Sequence, residues 1–442
     1  MRFFLLNNRF NLIALHAFIG AAVALVPVSK LLSTLLIVVG ILWIVKARNS
    51  EKAAIYAAGY LVGAEVFFRM TDGFVFHETG KYGVFLFLLL GSIYGKNTNK
   101  PNALFIVYIL LLLLGVVFTS VPEGDSIRNS IAFNLSGPVI LGFCAFYFFG
   151  RKISKKTLFH AMFFMLMPII SMTSFLYFRT PSVEEIVFGT AANYGASGGF
   201  GPNQVATILG LGIFIVAAFL ITRKKLTGYV ILDGILLVYL IYRGLLTFSR
   251  GGVIAAAVCI VFFLIFHVLS QKQSIRLTLK IIGVSFFILS GVWLYTSNVT
   301  GGMLDNRYAG KNVLGVTKKD ITSGRLDIFK EQLNSFYESP IFGIGVGNGK
   351  YKRLYSVKKV TAASHNEVGR LIEEHGLVGL ASLLLLIGIP GIVFFKSNNY
   401  QKAFLLAFFL FWFLTIGHSA MRIAFPSFIY GLCLIDIYDE DE

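Results

Sequence analysis

The stretch SHNEVGRLIEEHGLVGL, Ser364–Leu380, sets a titratable imidazole and an amide, His365 and Asn366, just before a run that becomes wholly apolar. Ser364 followed three residues later by Glu367 has the spacing of a capping box, which predicts His365 and Asn366 in the first turn of a helix. The free N–H groups and positive dipole end of that turn favour an anion. His365 is therefore a candidate general base beside a seat for phosphate; an ordinary interfacial histidine near a helix cap is the plain alternative. Arg243 and Arg250, in IYRGLLTFSRGG, are seven residues apart. On one continuous helix they would share a face, with Arg243 about 10 Å deeper. An arginine inside an apolar span usually faces a cavity or a partner. Snorkelling to the interface accounts for Arg250 more readily than for Arg243. Gly251 and Gly252 allow the close backbone approach that a phosphate site needs, or a tight turn between spans. Arg325 opens a later helix and offers either another guanidinium or a solvated loop charge. Arg128, Arg179, Arg307, Arg353 and Arg370 are further cations without a distinguishing context.

The motifs that would point elsewhere are missing from the sequence. It has no HExxH, CxxC pair, P-loop or dinucleotide fingerprint, and no DxD-like pair in the long loops. The chemistry expected is free of metal and cofactor, with a basic residue and several arginines at one membrane face.

The elements that must position these residues are membrane helices. Of 442 residues, 56% are hydrophobic and only 14% charged, and the mean hydropathy is +0.75. A water-soluble chain of this length needs more polar surface. Apolar runs of about 17–22 residues recur, the length of a hydrocarbon core, whereas a β-barrel shows short alternating segments. The fold class expected is all-α, a polytopic transmembrane bundle of about 12–14 spans. The last of these, 424–438, is short and weak. The net charge of +17 falls in alternate short loops, such as Arg151–Lys156 and Arg223–Lys225. That pattern predicts a cytoplasmic face by the positive-inside rule and argues against nucleic acid as the partner. With fourteen spans the acidic tail DIYDEDE would share that face. The three cysteines lie in apolar runs and are expected to pack. Glu65 and Arg69 have i,i+4 spacing and read as a structural ion pair. His16 and His267 read as packing histidines, and His418 with Arg422 lies near an outer helix end.

The domain reading is transmembrane helices over 1–296, one large periplasmic loop over 297–375, and C-terminal transmembrane helices over 376–442. The large loop carries an amphipathic helix, SGRLDIFKEQLNSFYESP, with Leu326, Phe329, Leu333 and Phe336 at helical spacing. Pro340 stops it, and the glycine-rich turn FGIGVGNG follows. A second long loop spans 178–204. A transporter or flippase would also have many spans and buried arginines, but it favours broken helices and paired midplane charges. The candidates here cluster at one face.

Several of these segments together resemble the O-antigen ligase and O-antigen polymerase family. TFSRGG resembles its Ser-Arg-Gly segment, and SGRLDIFKEQLNSFYESPIFGIGVGNG its Ser-Gly-Arg helix followed by Pro-x-x-Gly-x-Gly-x-Gly. HNEVGRLIEEHGLVG fits the ligase pattern of His-Asn, nine residues, then Gly-x-x-Gly, with Gly376 and Gly379 in place. GPNQVA, with Asn203, resembles a segment found before the following span. The resemblance covers roughly 195–395. It implies a metal-independent, inverting glycosyltransferase of the GT-C type in the bacterial inner membrane, with its active site facing the periplasm. The donor implied is a glycan on undecaprenyl diphosphate. The acceptor is the lipid A core for a ligase, a growing glycan for a polymerase, or a protein for the O-oligosaccharyltransferases among the relatives. The His-Asn spacing favours the ligase. On that reading His365 takes the acceptor proton, Arg250 and Arg243 stabilise the leaving diphosphate with Arg325 as the next choice, Asn366 and Asn203 contact substrate, and Glu374 orients a basic group. Two departures stand out: no arginine lies just before GPN, and Arg370 occupies a place where an apolar residue is more usual.

Overall fold

The computed structural model describes residues 9–50, 52–95, 102–271, 275–320, 322, 324–354 and 364–439. The basic-loop residues Arg2, Lys96, Lys100 and Lys272, the side chains of Arg276 and Lys280, and tail residues 440–442 lie outside them. The chain is an all-α polytopic membrane protein. Its helices are α1 (Arg9–Leu25), α2 (Ser29–Lys46), α3 (Ala53–Met70), α4 (Thr79–Tyr94), α5 (Leu104–Val117), α6 (Ile127–Phe148), α7 (Lys155–Arg179), α8 (Pro202–Ile221), α9 (Val230–Leu246), α10 (Arg250–Gln271), α11 (Ile275–Val299), α12 (Met303–Tyr308), α13 (Arg325–Glu338), α14 (Asn348–Leu354), α15 (Glu367–Lys396), α16 (Asn399–His418) and α17 (Phe425–Leu432). Among the described residues, eight are long and apolar enough to cross a membrane, and α1, α4 and α5 are shorter apolar helices.

The bundle sorts by burial. α3, α7 and α8 are buried on nearly every face. α2 and α5 turn Leu31, Leu35, Leu42, Leu110 and Leu113 outward. A helix apolar all round belongs inside such a bundle, and an outward leucine stripe on a peripheral helix faces lipid.

The last predicted span takes a different form. α17 has eight residues, about 12 Å of helix against a hydrocarbon core of about 30 Å. The chain then runs extended into β2 (Asp436–Tyr438), which pairs in parallel with β1 (Lys152–Ser154), Ile437 opposite Ile153. Buried backbone must have its polar groups satisfied by protein partners. Phe425 to Ile435 are buried throughout. The Leu434 and Ile435 carbonyls accept from the Gly150 N–H and from Gln401. Asp439 pairs with Lys155, so the tail shares the face of the basic 151–156 loop.

α15 is two helices joined at a kink. Gly376 has φ 62° and ψ −139°, a conformation essentially confined to glycine. The kink falls where the large loop gives way to the span. The segment after α13 splints the break. The Glu373 and Glu374 carbonyls accept from the Ile344 and Gly345 N–H groups, and the Leu377 N–H donates to the Pro340 carbonyl at 2.7 Å. The glycine-rich turn thus supplies the partners that a broken helix loses.

Candidate active site

Two cavities open on the face opposite the basic loops, and both abut the turn Ser364–His365–Asn366. Asn366 is the N-cap of α15, its side chain accepting from the Val368 and Gly369 N–H groups. The predicted box is therefore shifted. Ser364 bonds instead to the Asn366 backbone, and Glu367 is drawn away by the Arg370 guanidinium. His365 precedes the helix rather than lying in its first turn.

The first cavity has a volume of about 470 Å³ and is lined by Asn203, Ser249, Arg250, Arg307, Arg325, Asn366 and His418, among others. Three guanidiniums and no carboxylate stand among its described lining residues. Several helices begin here. Arg250 is the first residue of α10, Arg325 of α13, Asn203 the second of α8, and Asn366 the cap of α15. Each start adds a positive dipole end to the same space. Burial and the neighbouring Arg250 charge lower the Arg325 pKa, and burial with Arg250 and Arg325 does the same at Arg307. Like charges held this close favour an anion between them.

Local structure explains how the cluster forms. The chain breaks between α9 and α10 at Thr247–Ser249, where Phe248 has φ 55°. The Thr247 hydroxyl donates to the Gly244 carbonyl and accepts from the Ser249 N–H. Ser249 donates to Asn203 Oδ1 at 2.7 Å, tying the start of α10 to the start of α8. A Cβ on Gly252 would run into the Ala206 backbone, and one on Gly251 into the His418 ring. The close approach these glycines permit is therefore between helices. Arg307, on α12, donates to the carbonyls of Phe248 and Thr190, both at 3.0 Å. Arg250 donates to the Arg307 carbonyl at 3.4 Å.

Arg243 is placed elsewhere. The break at Phe248 ends the continuous helix on which a shared face with Arg250 depended. Its guanidinium turns to the 178–204 loop, donating to Thr180 Oγ1 and the Ala196 carbonyl at 3.4 Å, and it does not line the first cavity. Glu374 is also apart, bound to Arg370 at 2.7 Å within the second cavity. It does hold a basic group, the Arg370 that the resemblance marked as unusual.

His365 is solvent-exposed and lines neither cavity itself; its neighbours Ser364 and Asn366 line the second and the first. Its partial burial, then the charges of Arg422 and Arg325, lower its pKa below the ordinary imidazole value. That direction favours the neutral ring, the state a general base requires. Arg422 donates to the Ser364 carbonyl at 2.8 Å and so fixes the turn that carries the imidazole.

The second cavity, about 730 Å³, lies between the start of α6, α14 and the first half of α15. Arg353 pairs with Glu373 at 2.9 Å, both buried, and Gln332 donates to the same carboxylate at 3.2 Å. The most deeply buried positions of α13 are thus Gln332 and Ser335, a polar seam inside the expected apolar stripe. Glu65 and Arg69 form their ion pair at 2.7 Å, and Glu65 also accepts from the Ala424 N–H.

Arg307 and His418 are the site residues that motif reading left without a role. Arg307 sits in a six-residue helix with no flanking pattern. His418 reaches the cavity from the far end of α16. It was legible only as a histidine at an outer helix end.

No curated protein matches the chain. Residues 235–384, which include Arg250, Arg307, Arg325, His365 and Asn366, match the family model described as O-antigen ligase.

Proposed function

We propose that this protein transfers a glycan from undecaprenyl diphosphate to an acceptor hydroxyl at the periplasmic face of the bacterial inner membrane, as an O-antigen ligase whose acceptor is the lipid A core. The observation that carries this reading is the cationic first cavity, with three guanidiniums, several helix starts and no carboxylate among its described lining residues, next to the turn that carries His365.

The diphosphate occupies the first cavity, held by Arg250, Arg307 and Arg325 in charge-assisted hydrogen bonds. His365 accepts the proton of the acceptor hydroxyl. The acceptor oxygen bonds to the anomeric carbon as the bond from that carbon to the diphosphate oxygen breaks, and the configuration inverts. The electron pair leaves on the diphosphate, where fixed guanidiniums stabilise the growing charge through an oxocarbenium-like transition state. Asn203 and Asn366 orient the donor at the cavity wall. Arg243 steadies the 178–204 loop, and Arg307 takes the place that the sequence reading gave to it.

The test is deletion of the gene in a strain without a redundant copy, followed by analysis of envelope glycans. A ligase leaves long glycan on undecaprenyl diphosphate and bare lipid A core. Core capped by one repeat unit identifies a polymerase, and loss of glycoprotein alone a protein-directed transferase. An unchanged glycan profile overturns the transferase reading and returns a transporter to first place.

A further inference from the structure

We infer that the second cavity is a binding site for a neutral oligosaccharide, the acceptor glycan, and this rests on the transfer reading above. Its size falls within the range of about 300–1,000 Å³ common for small-molecule sites. Its described lining holds three carboxylates, Glu78, Asp125 and Glu374, and three cations, Lys350, Arg353 and Arg370. The charges balance, so the cavity has no net preference for an ion.

Most of those charges are also spoken for. Arg370 is clamped by Glu367 and Glu374, Arg353 by Glu373, and Glu78 by Lys81. They build a rigid wall. What the wall presents is largely uncharged: the side chains of Asn129, Ser130 and Asn134 along α6, with Tyr351 opposite on α14. Amides and hydroxyls offer donors and acceptors together, the combination that sugar hydroxyls require. Phe133 and Tyr351 add aromatic surface for the apolar face of a pyranose. Arg422 lies 4.0 Å from the centre of the Phe133 ring and holds the Ser364 carbonyl, so the cavity wall and the His365 turn are one connected unit. A glycan seated here reaches Ser364, the residue before His365, while Asn366, the residue after it, lines the diphosphate cavity.

The test uses the full-length protein in lipid nanodiscs with two probes measured separately. One is the oligosaccharide fraction released by mild acid from the host cell envelope, followed by saturation-transfer NMR. The other is undecaprenyl diphosphate, followed by direct binding. Asn129→Ala combined with Tyr351→Ala is expected to weaken oligosaccharide binding about tenfold and to leave undecaprenyl diphosphate binding as in wild type. Tyr351→Phe, which keeps the ring and removes the hydroxyl, gives a smaller loss in the same direction and serves if the double variant fails to fold. No saturation transfer to any fraction in wild type, or equal oligosaccharide affinity in the folded variants, overturns the inference. Failure of wild type to bind undecaprenyl diphosphate instead strikes the transfer reading itself, so the two failures are distinct.

Discussion

The two cavities share a wall, the turn 364–366, yet they are built on opposite electrostatic plans. The first gathers three arginines and several helix starts, with no carboxylate among its described lining residues. The second holds three carboxylates and three cations, most of them bound to one another. Like charges gathered in one place are costly to fold around and suit an anionic ligand. Paired charge costs less and leaves a stiff surface for neutral hydrogen bonding. The contrast assigns an anionic donor to one and a polyol acceptor to the other, with the turn that carries His365 between them.

The largest expected effect comes from the shared wall. His365→Ala should lower transfer by about a thousandfold, within the range for loss of a general base, while undecaprenyl diphosphate still binds. Transfer near wild type in a reconstituted assay removes the assignment. Next comes the cationic side. Arg250→Ala and Arg325→Ala should each weaken undecaprenyl diphosphate binding by about ten- to a hundredfold and spare oligosaccharide binding. Arg243→Ala, outside the cavity, should change donor affinity far less. Equal losses at all three positions would erase the distinction drawn between Arg243 and the cluster.

The kink that frames the second cavity can be tested through stability. Gly376→Ala forces a side chain into a glycine-only conformation and against the Pro340 carbonyl, which should cost about 1–3 kcal/mol, read as a lower midpoint in thermal unfolding. An unchanged midpoint would mean that the helix runs straight. A smaller effect concerns pH. The lowered His365 pKa keeps the base neutral as pH falls, so the acid limb of kcat/KM should lie below the ordinary imidazole value of about 6.5. The groups that bear on this ring are Arg422, Arg325 and His418. Arg422→Gln removes a positive neighbour, raises the pKa and should move the limb to higher pH, whereas Arg422→Lys should hold it. The mildest probe is salt. Donor affinity should fall with ionic strength, and oligosaccharide affinity should stay level; parallel salt slopes would contradict the contrast.

Much of this was legible in the sequence, for physical reasons that can be named. The helices follow from apolar run length, and the cationic cavity was half visible because SRGG and SGR each place an arginine at a helix start. The rest is non-local. Arg307 joins the cluster through a short helix without periodicity, and His418 arrives from α16 across a large sequence separation. A shared face for Arg243 and Arg250 assumed an unbroken helix, and nothing in GLLTFS announces a left-handed Phe248. The N-cap moved from Ser364 to Asn366 because Arg370 captured the glutamate the box required. The stretch 424–438 was read as one short span; the helix ends at Leu432, and the pairing of Asp436–Tyr438 with Lys152–Ser154 depends on a distant partner that hydropathy does not report.

The central claim is that the cationic cavity seats the diphosphate beside His365. Its most direct test is a structure of the full-length protein with an undecaprenyl-diphosphate-linked glycan bound. The account predicts phosphate oxygens within hydrogen-bonding distance of Arg250, Arg307 and Arg325, and an open path from the anomeric position to His365. A diphosphate lodged in the second cavity, or away from both, would contradict it.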